Sequence, residues 1–286
     1  MYFKIAIVTF CLILKIEGGS TVQPYNVKDL LSSRIVGGIE ASPSYVTHMV
    51  ALVFGERFKW LTCGGSIITQ RHILTAAHCI DPYIDRWSPT GLNPSLRGSI
   101  GSKYWVSTKY MIEFQGFVNH PNWNSFTIKN DIGILITKRD IQYNDAIQPI
   151  ALNLKFIDRP VTTFVTGWGD LEVFGQTPDR LQMLITSTIT SKQCVAAVRN
   201  YTSGTGVAAP PYDPKTEICT LLSKGHGMCH GDSGSALMTY YGLRKQIGIV
   251  SWGFPCARGA PDFFTRVSAF VNFIYDVVRP FSLEIH

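Results

Sequence analysis

The chain has 286 residues, 45% of them apolar, and a formal net charge of +6. That much apolar side chain fills the core of one large domain or two small lobes and excludes an intrinsically disordered polypeptide. The charge is mild and no block of like charges occurs, which excludes an electrostatic stripe for nucleic acid.

In chain order, the first feature is an apolar run from Ile5 to Leu14 behind Lys4, followed by Gly18, Gly19 and Ser20. The run is too short to span a bilayer and has the form of a secretion signal, so residues 1–19 are expected to be a removed signal peptide and the product to be extracellular. Residues 20–34 are short, polar and free of cysteine. Cys11 falls in the signal; Cys63, Cys79, Cys194, Cys219, Cys229 and Cys256 remain. An even set in an oxidising compartment predicts three disulfides, and the absence of C-x-x-C argues against a zinc site. Spacing leaves about fifteen connectivities open.

From residue 48 onward, short runs rich in Val, Ile, Thr and aromatics alternate with turn residues: HMVALVF, GGSIIT, DIGILIT, TTFVTGWG, LQMLITSTIT, QIGIVSWG and DFFTRV. This pattern predicts an all-β fold of many short strands. The tail is the helical exception. Val267, Phe270, Val271, Ile274 and Val278 recur at helical spacing, and Pro280 is expected to stop the run. Pro210, Pro211 and Pro214 predict a surface loop. Asn200 opens the sequon NYT and is a candidate glycosylation site.

Three stretches carry chemistry: LTAAHC with His78, KNDIGIL with Asp131, and MCHGDSGSAL with Ser233. A serine hydroxyl is a weak nucleophile near neutral pH. An imidazole takes its proton, and a buried carboxylate fixes that imidazole's tautomer and stabilises the imidazolium.

RIVGG, LTAAHC, NDIGIL, GDSG and SWG, in this order over residues 35–280, resemble a secreted serine protease of the chymotrypsin family. The likeness is strongest to arthropod chymotrypsin-like enzymes and serine collagenases. That family's triad runs His, then Asp, then Ser along the chain, which is the order here. The resemblance implies two antiparallel six-stranded Greek-key β-barrels with a C-terminal α-helix, residues 35–286 forming the protease domain and dividing near residue 150. It implies His78 as general base, Asp131 as its orienting acid, Ser233 as nucleophile, and the backbone N–H groups of Gly231 and Ser233 as the oxyanion hole. Ser251 is expected beside Asp131. The chain departs from the usual GDSGGP at Ser235 and Ala236. The disulfides implied are Cys63–Cys79, Cys194–Cys219 and Cys229–Cys256.

By the same resemblance, residues 20–34 are an activation propeptide cut after Arg34 by a trypsin-like protease. The new ammonium of Ile35 then pairs with Asp232 and orders the oxyanion hole. Gly227, six residues before Ser233, is implied as an empty, uncharged pocket floor. Met228 is an apolar wall, and Ser251, Trp252 and Gly253 border the pocket. Asp262 stands where most members carry glycine. Either it lies in the pocket and accepts Lys or Arg, or it turns away and leaves an apolar site. The expected activity is broad cleavage after Phe, Tyr and Leu with secondary acceptance of basic residues, digestive or degradative in role. No cofactor and no metal are expected, since the loop GSIGSKYWVSTKYMIEF offers only Glu113 to a hard cation. The expected partners are protein or peptide substrates, the activating protease and protein inhibitors, with the enzyme a monomer. The rival readings are a non-catalytic homologue that binds or regulates, and a narrow processing protease.

Overall fold

The apolar runs form strands because both of their faces are covered. In the computed structural model, which describes residues 35–42, 46–106, 110–172, 175–254 and 256–282, the expected signal peptide, propeptide and Arg34 lie outside the described residues. A short strand β1 (Ile39–Glu40) is followed by β2 (Met49–Phe54), β3 (Trp60–Ile67), β4 (His72–Thr75), β5 (Leu96–Ile100), β6 (Met111–Asn119) and β7 (Gly133–Thr137). The last six close into an antiparallel barrel in the order β2-β3-β4-β7-β6-β5. Then come β8 (Ala151–Leu152), β9 (Thr162–Gly167), β10 (Gln182–Ser187), helix α1 (Ser191–Thr205), β11 (Glu217–Thr220), β12 (Ala236–Thr239), β13 (Lys245–Gly253), β14 (Asp262–Arg266) and helix α2 (Val271–Ser282). The second sheet runs β1-β10-β9-β12-β13-β14-β11, with β8 added in parallel to β13. A bridge between Thr188 and Thr220 joins the end of β10 to β11, so six of these strands return on themselves.

The strand period of two sorts residues between three cores. On β2, Val50 and Leu52 point into the first barrel's core with Ile73, Ile134 and Leu135. Its alternate residues Met49, Ala51 and Val53 pack outward against Phe164, Trp168, Ala236 and Met238. On β9 and β12 the same alternation sends Val165 and Leu237 into the second barrel's interior with Ile247 and Phe264. The Met49–Met238 layer is thus the seam between the barrels. It makes β2 read as one continuous apolar run rather than an alternating one.

Three features differ from the sequence expectation. First, α1 is a second helix, where only the tail was expected to be helical. Thr190 and Gln193 form a capping box at its start, and Gly206, at φ 70°, ends it in the left-handed region. Asn200 is consequently exposed on a helix and not in a loop. Second, α2 continues beyond Pro280 to Ser282. Proline forfeits one backbone N–H but leaves its own φ helical, so the turn carries on. Third, β4, β5, β6, β11 and β12 are strands that the apolar runs did not mark. Disulfides join Cys63 to Cys79, Cys194 to Cys219 and Cys229 to Cys256. The second of these ties α1 to β11.

The barrels also meet at one point with no room for a side chain. A Cβ on Gly64, in β3, would lie 2.1 Å from the Ser235 hydroxyl oxygen, and Ser235 is fully buried. Gly64→Ala is therefore expected to destabilise the protein by about 1–3 kcal/mol, measured by urea unfolding. Ser235→Gly in the same chain should return most of that loss.

Candidate active site

His78 sits on a single helical turn, Ala77–Cys79, directly after β4. Ala76 and Ala77 are fully buried, and small side chains there let the turn press against the barrel. Cys79 is bonded to Cys63 on β3, which fixes the turn from its far end. Asp131 lies two residues before β7 and is 1% exposed. Its Oδ1 accepts the His78 backbone N–H at 3.0 Å, and its Oδ2 lies 2.7 Å from His78 Nδ1. The Ser251 hydroxyl donates to Oδ2 at 2.5 Å, and the Thr265 hydroxyl donates to the Asp131 carbonyl at 2.6 Å. A carboxylate so buried needs the His78 and Ser251 donors to replace its lost hydration. Burial pulls the His78 imidazolium downward in pKa, but the charge and hydrogen bond of Asp131 outweigh it, and the net shift is upward.

Ser233 belongs to the loop between Cys229 and β12, closed by the Cys229–Cys256 disulfide. Its carbonyl accepts the Gly64 N–H at 2.7 Å, which docks the loop on the first barrel. Gly234, at φ 80°, leaves no space either: a Cβ there would meet Thr75 Oγ1 at 2.2 Å and the Gly64 carbonyl at 2.4 Å. Among the described residues the Ser233 hydroxyl has no hydrogen-bond partner, and His78 Nε2 lies 3.7 Å from Cys79 Sγ. The structure therefore brings His78 and Asp131 together and leaves the His78–Ser233 bond unmade. Such bonds are often loose in a substrate-free site and tighten around the reacting group. The backbone N–H groups of Gly231 and Ser233 have no acceptor among the described residues. Gly231, at φ 94°, is packed against Leu61 and Gly169, each 3.2 Å from where a Cβ would be.

Asp232 is fully buried between these two groups. Its Oδ1 accepts the Gly169 N–H at 2.8 Å and its Oδ2 the Cys229 N–H at 3.0 Å. A Cβ on Gly167 would lie 2.1 Å from this carboxylate, and one on Gly169 2.4 Å from it. The two glycines of TGWG are therefore a cradle, a role the strand reading of that stretch missed. Burial, only partly offset by the two N–H donors, pushes the Asp232 pKa up to about 7. Ile35 is fully buried in the second barrel's core, its φ of 38° in the left-handed region.

Beside Ser233 opens a cleft of about 530 Å³, lined by Met228, Val250, Ser251, Trp252, Gly253, Phe254 and Asp262 among others. Asp262 does not turn away from it. Its Oδ2 accepts the Met228 N–H at 3.2 Å and lies 3.1 Å from where a Cβ on Gly227 would be, while Oδ1 lies 3.3 Å from the corresponding point on Gly253. The floor at Gly227 is thus not empty, as the sequence suggested: a carboxylate rooted on β14 fills the space that its missing side chain leaves. Burial pushes the Asp262 pKa up to about 7, with the Met228 N–H pulling the other way. Val250 and Phe254 are cleft residues that sequence reasoning missed. Their motif, IVSWGF, marked a strand but not which side chains face the cleft. Among the described residues the one cluster of metal-ligating types is Cys63, His78 and Cys79, and its two sulfurs are bonded to each other.

Residues 35–274 match the family model described as Trypsin. The chain belongs to the trypsin family of serine proteases. It is 33% identical to Chymotrypsin-2 of Vespa crabro over 84% of its length and 98% of that protein's. It is 30% identical to the Chymotrypsin of Phaedon cochleariae over 88% of its length and 86% of the relative's. It is also 30% identical to Duodenase-1 of Bos taurus over 88% of its length and 92% of that protein's. The protease is a serine endopeptidase, and protein is its substrate class.

The balance at His78 is testable. In Asp131→Asn the charge that raises the imidazole disappears while burial remains, so the His78 pKa is expected to fall below the ordinary histidine value. Titration of the His78 ring by NMR reads it.

Proposed function

We propose that this protease works by a Ser233–His78–Asp131 triad, and the observation that carries the proposal is the buried Asp131 carboxylate bonded to both the backbone N–H and Nδ1 of His78. That pairing puts the exchangeable proton of a neutral ring on Nδ1 and leaves Nε2 as the base. Nε2 takes the proton of Ser233 as its oxygen attacks the scissile carbonyl, and later returns it to the leaving amine. Asp131 and the Ser251 hydroxyl steady the imidazolium between the two transfers. The N–H groups of Gly231 and Ser233 receive the oxyanion.

Activation is part of the proposal. The precursor comprises a signal peptide over residues 1–19, a propeptide over 20–34 and the protease domain from Ile35, and the mature enzyme acts outside the cell. Cleavage after Arg34 gives Ile35 an ammonium. Asp232, a buried carboxylate with two N–H donors and no cation bonded to it among the described residues, is the partner for that charge. Pairing them holds Gly231 and Ser233 in the donor geometry.

The cleft supports broad cleavage after Phe, Tyr and Leu, whose side chains match the Met228, Val250 and Phe254 walls, together with acceptance of Lys and Arg by Asp262. The departure at Ser235 and Ala236 removes no catalytic group. Digestion or bulk degradation suits this breadth; a non-catalytic homologue would have no use for the intact His78–Asp131–Ser251 chain.

After cleavage at Arg34, an organophosphate should label Ser233 stoichiometrically, and Ser233→Ala should lower kcat by roughly 10⁴-fold or more. An activated wild type that takes no label would sink the triad reading. Asp262 is neutral below its pKa of about 7 and anionic above it. The ratio of Arg or Lys cleavage to Phe cleavage is therefore expected to climb between about pH 6 and 8, one unit either side of that value, as read with matched peptides. In Asp262→Asn it should be low and flat over that range.

A further inference from the structure

Lys129 lies between Ile128 and Asn130, whose φ angles are 51° and 56°. Neither is glycine, so the segment keeps a left-handed backbone that its surroundings must hold in place. Lys129 exchanges both backbone hydrogen bonds with Asn124, and the Asn130 amide donates to the Asn122 carbonyl at 2.7 Å. The Lys129 ammonium crosses to the second barrel and meets Glu217 Oε1 at 2.8 Å, with side-chain exposures of only 17% and 5%. The same oxygen accepts the Trp252 indole N–H at 2.8 Å, while Oε2 accepts the Asp213 N–H at 2.7 Å. The ammonium also stands 5.5 Å from the Trp252 ring centre, and that ring stacks on Phe263 at 3.6 Å with an interplanar angle of 3°.

These contacts fall between two pockets. Trp252 lines the cleft beside Ser233. Ile128 lines a neighbouring groove of about 370 Å³ with His78, Asp81, Trp123 and Ser125, and Ser251 borders both. One buried carboxylate therefore holds a wall of the cleft and the loop that forms a wall of the groove. We propose that Lys129 and Glu217 are positioning residues that fix the spacing of the two pockets, and so set how the enzyme holds the peptide residue adjoining the one in the cleft. This rests on the protease reading of the site. Neither side chain touches the reacting atoms, so their effect falls on extended substrates and not on the chemical step.

The test compares activated wild type, Lys129→Met, Glu217→Gln and Lys129→Arg on two substrates, an N-acetylphenylalanine ester and a tetrapeptide anilide ending in Phe. The Met and Gln variants should raise KM for the tetrapeptide about ten-fold with kcat held, and leave the ester within about two-fold. Lys129→Arg, which keeps the charge, should behave as wild type. In parallel, NMR of protein carrying ¹⁵N-tryptophan should show the Trp252 indole N–H exchanging about ten-fold faster in Glu217→Gln. Equal losses on both substrates, no loss on either, or unchanged indole exchange would overturn the proposal. If activated wild type turns over neither substrate, the protease reading fails instead, and the exchange measurement still decides whether the tether exists.

Discussion

Asp131 is a carboxylate almost wholly removed from water, and the donors that replace its hydration come from two barrels seated together. Asp131, just ahead of β7, and His78 belong to the first barrel; the hydroxyls of Ser251 and Thr265 that serve its side chain and its carbonyl come from β13 and β14 of the second. Separate the barrels and the carboxylate loses the Ser251 hydroxyl while its carbonyl loses that of Thr265, a cost that packing alone would not impose. The seam of Met49, Ala51, Val53, Phe164 and Met238 provides the apolar burial that opposes separation. Site and seam are therefore one construction: the geometry around His78 and Asp131 is a property of the interface.

Residues 129–131 make this plain. Lys129 reaches Glu217 on β11, the Asp131 carbonyl meets Thr265 on β14, and the Asp131 carboxylate meets Ser251 on β13. Those three strands are neighbours in the second sheet. A short segment of the first barrel is stitched across them in order. The left-handed backbone at Ile128 and Asn130 is the local strain that this stitching sustains. Two further carboxylates, Asp232 and Asp262, sit deep in the second barrel, each raised to about 7 by burial. Asp232 is enclosed by glycines and backbone donors. Asp262 faces the cleft beside Ser233.

Much of the fold was legible because burial on both faces makes a strand apolar throughout, as in MVALVF of β2, or rich in β-branched and aromatic residues, as in TTFVTG of β9. The strands that escaped notice lack that signature. In β6, MIEFQGFVN, most residues are only half-buried, so charge and polarity interrupt the run. β12, ALMT, is short and follows the glycine-rich loop that carries Ser233. α1 escaped because it buries only Cys194 fully and shows no apolar stripe of the kind α2 has, although its Thr190–Gln193 box and Gly206 were readable signals.

By itself the sequence determined the chemistry on offer: a serine, a histidine and an aspartate in a telling order, six cysteines beyond the apolar run of residues 5–14, and a glycine six residues ahead of the serine. Those are matters of residue type and spacing, which a linear polymer carries. Only the tertiary structure decided that Asp262 points into the cleft, that His78 engages Asp131 while Ser233 stands unbonded, and that Lys129, Glu217 and Trp252 meet at one oxygen. Ser251 and Asp131 are 120 residues apart, and Lys129 and Glu217 are 88 apart. Over such separations a side chain's direction is set by strand register and barrel packing, and no local pattern encodes it.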